Sequence, residues 1–566
     1  MTSLYLHNLA ALRTRSPEAA RLVEAVEQSG AVRVAASSTG EPVLEVGGRA
    51  LDSRREPRRA AERAAAAVDT AAVAVAGLGT GYFVEALEAR DIAVAAIVDA
   101  DPAVVAAAMR ARDLSAVLAR VPVFLLPALT DRVELAAVRR LAPAVTPHAP
   151  SLQAFPALAA FVETWPSIRV ADRAPRVLVA GPIYGGSLET ARATARAVSM
   201  TAAETKLFDF SVFASGHHAI DGLGIARSTR GRLQAAHADF LGELLVDVAL
   251  DWRADLVIGL AQAPLGEPAL TRLRDHQITT AFWYVENHRV LPYWSDLAPH
   301  YDFFYGIQPG RFLEQLAAAG AARPGYLPMA CDPAVHRPVD LTPEEQARFG
   351  SDVSFAGAPY LNRRRLLVSL ADLDFRIWGD GWNEPALAHL VAGNGERFGV
   401  DDMVRIFNAT AVNLNLHSAA HVADLDPDPD FVNPRAFEIA ACGAFQLVDA
   451  RTPLPDLFAP GEMVTFESMA EVRGQIAHYL AHPDERRAIA ALARARVLAE
   501  HTYEHRVRRI LRDALPHDLA AAALHGIDAE PLDLVLRRLE LGSPVMTDEE
   551  ACMRVLVEVE KNWGMR

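Results

Sequence analysis

Apolar runs of strand length alternate with helical patterns in three successive stretches of the 566-residue chain. The first stretch has strand-like runs at 71–77, 92–99 and 121–126, and the second begins at RVLVAG, residues 176–181. The third begins near DVSFAG, residues 352–357, and continues to helices that end near Leu515. Strands that alternate with helices are typical of parallel α/β sheets. The pattern therefore predicts an α/β protein with three Rossmann-like domains.

The breaks between these stretches predict four segments. An N-terminal Rossmann-like domain covers 1–170, with a hairpin around Gly40, and the proline-rich residues 141–156 and 171–175 indicate its exit linker. Two further Rossmann-like domains follow in tandem at 171–330 and 331–515. A helical tail is expected at 516–566.

Composition narrows the class of protein. With 51% hydrophobic and 22% charged residues the chain is in the globular range, and a net charge of −15 disfavours nucleic acid as a partner. The start lacks a basic region followed by an apolar stretch, and we find no run of about 18 apolar residues, so we expect a cytoplasmic protein without a membrane span. The three cysteines, Cys331, Cys442 and Cys552, match no zinc-binding spacing.

Glycine-rich turns follow several of the predicted strands. Glycines let backbone N–H groups approach a ligand at the start of a helix, although a tight turn that needs positive φ angles explains them equally well. In GPIYGGS, Gly185, Gly186 and Ser187 could form an anion or sugar cradle. Residues in FAGAPYLNRRR, WGDGW and RFGV could wall a nucleotide pocket; the candidates are Gly357, Gly381 and Val400.

Charged residues also stand at predicted strand ends. Glu286, in AFWYVENHR, lies where ligands of open α/β sheets bind, and it could hold an acceptor hydroxyl or supply acid–base help. A solvated loop is the alternative interpretation. Arg363, the first of three consecutive arginines, suits a diphosphate bound without a metal, and at most two of the three can face one site.

Glu438 stands in the apolar start of a helix that begins at Pro434, in the stretch FVNPRAFEIAACGAFQLVD. Burial of a carboxylate is unfavourable by roughly several kcal/mol unless hydrogen-bond donors meet it. A ribose or sugar diol supplies two such donors. Stabilisation of the helix dipole is the alternative, but it does not explain the apolar setting.

We predict no metal site. DLDPDPD places Asp426, Asp428 and Asp430 at alternate positions, but an EF-hand would need glycine at Phe431 and glutamate at Phe437. The histidines at 217–218 and Asp221 have no helical metal-ligand spacing.

The ordered series of motifs carries a family resemblance over about 175–515. DVSFAGAPYLNRRR, FRIWGDGW and NPRAFEIAACGAFQLVD, with GPIYGGSLETARATARA and TAFWYVENHRVLPYWS before them, resemble the CgeB-like spore-maturation glycosyltransferases. A more distant likeness is to retaining enzymes of the family 4 type. The resemblance implies that the two tandem domains adopt the two-lobed GT-B arrangement, with a nucleotide-sugar donor, such as a UDP-sugar, in the cleft.

The resemblance also implies roles for single residues. In the family 4 type two glutamates spaced E-x7-E face the donor; Glu438 matches the ribose-binding one, and Asp430 stands at the position near the transferred sugar. Arg363 matches a phosphate-binding lysine, whereas Ala358 stands where a second cation is expected. We therefore assign the missing charge to Arg435, and Ser418 is a further donor-side candidate.

The first domain resembles the α/β part of motility-associated (Maf) glycosyltransferases and, more loosely, methyltransferases. In GLGTGY, Gly77, Gly79 and Gly81 follow a strand, and Asp99 ends the next one, where a ribose-binding acid would sit. An inherited scaffold without a cofactor is the alternative.

Together with these residues, the resemblance implies a hexosyltransferase-type GT-B enzyme that is metal-independent, needs no cofactor and transfers a sugar to a protein or glycan acceptor. Retention of configuration is implied by the resemblance alone. By analogy the acceptor is flagellin or another surface structure. Alternatives are an inactive scaffold of a glycosylation system and a nucleotide-sugar epimerase. A sugar phosphorylase would need a lysine for pyridoxal phosphate in the third domain, but the only lysines are Lys206 and Lys561.

Overall fold

A computed structural model describes residues 3–26, 31–128, 131–142, 144–419 and 422–526. They form two compact units. One contains the described residues up to Pro175 and those from Leu515 on, and the other is Arg176–Ala514. Of the predicted tail, His517–His525 is helical, and residues 527–566 lie outside the described residues.

The first unit contains two sheets. The antiparallel sheet has the order β1-β2-β3 and includes the predicted hairpin, whose turn has Gly40 at φ +81°. The other sheet is parallel, with the order β6-β5-β4-β7. The strands are β1 Val32–Ala36, β2 Pro42–Val46, β3 Arg49–Ala50, β4 Ala72–Ala76, β5 Ala93–Asp99, β6 Val123–Leu125 and β7 Ala144–Pro147.

Helices cover the parallel sheet, and those before Pro175 are Ser3–Arg15, Pro17–Ala25, Pro57–Ala65, Tyr82–Glu88, Pro102–Ala111, Ser115–Leu118, Arg132–Leu141, Ala149–Ala154 and Pro156–Thr164. The expectation of a linker at 141–156 is wrong, because this stretch contains β7, the whole helix Ala149–Ala154 and the first residue of the helix Pro156–Thr164. Proline in the first turn of each of these helices is compatible with helix, since the backbone N–H it lacks has no intrahelical partner there.

The second unit contains two parallel sheets. The N-terminal lobe is built on the order β13-β12-β11-β10-β8-β9, and the C-terminal lobe on β15-β14-β16-β17-β18. The strands are β8 Arg176–Ala180, β9 Glu204–Phe208, β10 Leu256–Leu260, β11 Thr279–Tyr284, β12 Phe303–Gly306, β13 Pro324–Tyr326, β14 Ser351–Ala356, β15 Phe375–Trp378, β16 Thr410–Asn415, β17 Gln446–Asp449 and β18 Val464–Phe466.

Helices pack on both sheets, so the central strands are buried on both faces and read as continuous apolar runs, as in LVIGL of β10. In the N-terminal lobe the helices are Leu188–Ser199, Ala214–Asp221, Arg227–Trp252, Glu267–Asp275, Trp294–Leu297 and Arg311–Ala318. Those that follow are Pro343–Phe349, Leu361–Leu367, Val400–Ala409, Pro434–Ala441, Leu454–Leu457, Met469–Ala481, Pro483–Glu500 and Tyr503–Ala514.

Each parallel sheet has one point where the strand order reverses. These points lie between β4 and β7, between β8 and β10, and between β14 and β16. The loops that leave the carboxyl ends of two such strands diverge to opposite faces, and the crevice between them is the usual ligand site of open α/β sheets. The predicted α/β fold class is confirmed, and it directs attention to three crevices.

Candidate functional site

The second unit contains a cleft of about 770 Å³ that is lined by residues of both lobes. Its walls come from loops at the carboxyl ends of β8 and β11 on one side and of β14, β15 and β16 on the other. The predicted residues that line it are Gly185, Gly186, Ser187, Glu286, Gly357, Arg363, Val400, Ser418, Arg435 and Glu438. Asp430 and Gly381 are not among the lining residues.

Arg363 lies at the crevice between β14 and β16. Its Nε donates to the Leu416 carbonyl at 2.9 Å and its Nη1 to the Ala358 carbonyl at 3.1 Å, and the guanidinium packs over the Phe355 and Tyr360 rings. Burial lowers the pKa of Arg363 to about 10, which leaves it charged at neutral pH. In the described part of the chain no carboxylate forms a direct ion pair with Arg363, and Asp449 acts on it only at longer range.

The two arginines that follow Arg363 do not line the cleft. Arg364 forms an ion pair with Glu384 at 3.2 Å, and Arg365 is exposed on the helix Leu361–Leu367. Successive helical residues point about 100° apart, so three consecutive arginines cannot all face one site. Arg365 is therefore a matched control for Arg363.

Glu438 is 8% exposed and has partners within the chain. Its helix begins at Pro434, and the Asn433 side chain accepts the Ala436 N–H at 3.2 Å as the cap. Arg435, one turn before Glu438, forms an ion pair with it. The buried carboxylate is thus neutralised by its own helix, and Arg435 is not a free cation in this state.

His336 stands on the other side of Glu438, with Nε2 3.8 Å from Oε1. Its Nδ1 accepts the Asp332 N–H at 3.0 Å, which places the ring proton on Nε2, and burial lowers the pKa of His336. The neutral imidazole therefore directs its N–H towards Glu438. His336 lines the cleft, and its position in the chain, about 100 residues before Glu438, gave no signal of this contact.

A buried network holds the start of the Glu438 helix. His417 donates from Nδ1 to Asp449 at 2.7 Å and accepts the Asn433 N–H on Nε2 at 2.8 Å. Burial lowers the pKa of His417, so it is neutral. Burial also opposes ionisation of Asp449, but hydrogen bonding to His417 and the cation of Arg451, 3.2 Å away, outweigh this and lower the pKa of Asp449.

On the N-terminal lobe Glu286 follows β11 and faces the cleft. It accepts hydrogen bonds from Gln262 Nε2 at 2.8 Å and from the Tyr293 hydroxyl. Burial raises the pKa of Glu286 above its ordinary value, and the two hydrogen bonds oppose this only in part. A carboxyl group that changes protonation nearer neutral pH is suited to proton transfer.

Two predicted residues lie elsewhere. The carboxylate of Asp430 is bound by both terminal nitrogens of Arg289, at 3.0 and 2.6 Å, because the acidic loop turns towards the N-terminal lobe. Gly381, with φ +77°, lies in the turn after β15 and does not line the cleft. A Cβ at this position would lie 3.3 Å from the Pro359 ring. Gly379 and Asp380 of the same turn line the cleft instead.

Five charged residues that line the cleft were missed in the sequence: Glu189, Arg196, Asp332, Asp380 and Arg397. Arg397 lines it without forming an ion pair in the described part of the chain, and Arg196 pairs across the lobes with Asp332 at 2.8 Å. Arg397 opens the RFGV stretch, whose glycine and apolar residues drew attention first. The pair of Arg196 and Asp332 has no local signal, since 136 residues separate its members.

The described residues contain one group able to hold a metal, His478, His482 and Glu485, all exposed and outside the cleft. His478 Nε2 is already 2.8 Å from Glu485. In the described part of the chain neither the acidic loop nor the histidines at 217–218 form such a group.

The crevice between β4 and β7 in the first unit is filled by the chain itself. A Cβ on Gly77 would lie 2.4 Å from Ser151 Cβ, and one on Gly79 would lie 2.5 Å from the His148 ring. Asp99 is fully buried, accepts the Leu78 N–H at 2.7 Å, and has its pKa raised by burial to about 6. Asp99, the predicted ribose-binding acid, therefore stabilises the glycine turn by accepting one of its backbone N–H groups.

Residues 363–512 match the family described as "Glycosyl transferase-like". The spore protein CgeB of Bacillus subtilis (strain 168) is 28% identical over 188 residues, which are 31% of this chain and 55% of that protein. The predicted CgeB-like resemblance is confirmed. The chain spans about half the length of this curated relative. The likeness of the first domain to Maf glycosyltransferases stays a prediction.

Solved structures give a general likeness. Sucrose-phosphate synthase from Thermosynechococcus elongatus has a TM-score of 0.42 at 12% identity, over 60% of this chain and 97% of that one. Anabaena HepE, solved in complex with UDP and glucose, has a TM-score of 0.43 at 14% identity, over 60% of this chain and 99% of that one.

Among the described residues, no helix is long and apolar enough to cross a membrane.

Proposed function

We propose that this protein is a glycosyltransferase that takes a sugar from a nucleotide-sugar donor bound in the cleft. The observation that carries the proposal is Arg363, a half-buried guanidinium with only backbone carbonyls as partners, at the crevice between β14 and β16. Negative charge develops on the diphosphate as the glycosidic bond breaks, and a fixed cation stabilises it in a site sheltered from water. The match to a glycosyl transferase-like family supports the same activity.

The remaining cleft residues take roles that agree with this placement. Glu438, held between Arg435 and His336, is proposed to receive the ribose hydroxyls, and binding there would free Arg435 to turn towards the phosphates. Arg397 is a second candidate cation. Because arginines can supply the positive charge, we propose a transfer that needs no metal.

Glu286 lines the cleft from the N-terminal lobe, as does the turn of Gly185, Gly186 and Ser187. We propose that it accepts the proton of the acceptor hydroxyl when that oxygen attacks the sugar. The acceptor, a protein or a glycan, would then approach along the N-terminal lobe. Hexosyl transfer with retention of configuration is proposed from the resemblance to family 4 enzymes alone.

The test is a screen of nucleotide sugars for binding and turnover by the full chain, with Arg363→Gln as the decisive variant. Loss of one preorganised charge should lower kcat/KM by about 10²- to 10³-fold. Arg365→Gln, the exposed neighbour, should retain the wild-type rate. Absence of nucleotide-sugar binding, or equal behaviour of the two variants, would contradict the proposal.

A further inference from the structure

The acidic loop DLDPDPD has no role in the proposed reaction, yet its aspartates have specific partners. Asp426 binds Arg451 of its own lobe at 3.2 Å. Asp430 binds Arg289, which follows β11 of the other lobe, and Asp428 lies 3.7 Å from the same guanidinium. The alternate spacing thus presents one carboxylate inwards and two across the cleft.

The contact between Arg289 and Asp430 is a two-point hydrogen-bonded ion pair. Nη1 and Nη2 each donate to a different oxygen, at 3.0 and 2.6 Å, the fork geometry that is strongest for this pair. Gln308, fully buried after β12, adds a hydrogen bond from Nε2 to Asp430 at 3.3 Å and accepts the His288 N–H. Both side chains of the ion pair are partly shielded, so the interaction should exceed that of an exposed pair.

Asp430 directly precedes the segment that carries the proposed donor contacts. Phe431 and Asn433 line the cleft, and the helix with Arg435 and Glu438 begins at Pro434. Arg451 supports the same segment from within the C-terminal lobe by donating to the Phe431 carbonyl at 3.0 Å. One end of the donor-binding segment is therefore anchored to the opposite lobe.

We infer that Arg289 and Asp430 form an interlobe clasp that closes the cleft and positions the donor-binding segment. Asp430 is then a positioning residue that acts through Arg289, not a contact of the transferred sugar. The consequence for donor binding rests on the proposed function, whereas the clasp itself does not. The clasp must open for exchange of substrate, so breaking it should weaken donor binding without slowing the chemical step.

The test is a double-mutant cycle of Arg289→Gln, Asp430→Asn and the double variant in the full chain. Without ligand, amide hydrogen exchange at 285–291 and 426–433 should be about 3- to 10-fold faster in each single variant than in the wild type. The double variant should exchange no faster than the single variants. KM for the donor should rise by about the same factor, with kcat within about twofold of wild type. Arg272→Gln, which removes ion pairs inside the N-terminal lobe, should change neither property.

Unchanged exchange in the single variants, or effects that add in the double variant, would overturn the clasp. A fall in kcat for Asp430→Asn with unchanged exchange would instead place Asp430 at the sugar and also overturn it. If the wild-type protein binds no nucleotide sugar, the proposed function fails, and the exchange cycle still decides whether the clasp exists.

Discussion

The crevice of the first unit and that of the C-terminal lobe have the same backbone arrangement but differ in what lies within them. In both, a glycine turn follows a buried strand at the point where strand order reverses. In the first unit His148 and Ser151 occupy the space beside Gly77 and Gly79. In the C-terminal lobe Gly357 and Arg363 border an open cleft.

The difference teaches that a strand–glycine–helix pattern specifies backbone geometry and not a ligand. The glycines of the first turn are needed because side chains of the chain pack against them. The acids at the strand ends differ in the same way: Asp99 is fully buried against backbone N–H groups, whereas Glu286 faces the cleft. Burial raises the pKa of both, so only access to a cavity separates a structural acid from a candidate base.

The largest effect should come from Glu286→Gln. Removal of a general base should lower kcat/KM by about 10²- to 10⁴-fold. Because the pKa of Glu286 is raised, the wild-type rate should fall, as pH decreases, at a pH above the ordinary 4.5 of a glutamate. The variant should lose this acid limb, measured as kcat/KM against pH.

Glu314→Gln, on an exposed helical position of the same lobe, is the control for Glu286 and should keep both the rate and the acid limb. Persistence of the limb in Glu286→Gln would assign it to another group.

Gly77→Ala should destabilise the first unit by about 3 kcal/mol, because the new Cβ would overlap Ser151 and the residue has φ +98°. Gly48→Ala has a similar φ, +80°, but no atom within 4 Å of the new Cβ, and should lose only about 1 kcal/mol. Hydrogen exchange of the first unit at increasing urea concentration measures both. Equal losses would show that packing against Ser151 contributes nothing.

Gly357→Ala should have the smallest of these effects, and it should act on donor binding rather than on stability. Its Cβ would lie 3.2 Å from the Phe355 ring and 3.3 Å from Arg363 Nη1, and Arg363 packs over that ring. A small displacement of the ring or the guanidinium should therefore lower donor affinity, measured by calorimetry, about tenfold. Stability should change by less than about 1 kcal/mol. Gly474→Ala, whose new Cβ would have no atom within 4 Å, should leave donor affinity unchanged. Tighter binding of the donor by the Gly357→Ala variant would contradict the placement of Arg363 at the donor site.

Local patterns predicted much of this molecule. The α/β class, the strands that lead to each glycine turn, the helix start at Pro434 and the position of Glu286 at a strand end all follow from periodicity and turn chemistry. The strand β7 was missed because its short run lies among prolines, and its pairing with β4 depends on residues about 70 positions away.

The partners of charged residues that lie far apart in the chain could not be predicted from the sequence. Glu438 was expected to need a ligand because of its apolar setting, but Arg435, one helical turn earlier, already forms an ion pair with it, and His336 Nε2 lies 3.8 Å away. The resemblance to family 4 enzymes implied a position near the sugar for Asp430, yet Asp430 binds Arg289, 141 residues earlier. Such contacts depend on which loops the strand order brings together.

By itself the sequence determined the α/β elements and the residue types available at the strand ends, because burial and backbone preference act over a few residues. Only the tertiary structure decided that the crevice of the first unit is filled, that the cleft between the lobes is open, and which charges are already paired within it. Pairing and filling depend on residues that lie far apart in the chain, and their meeting is set by strand order and packing.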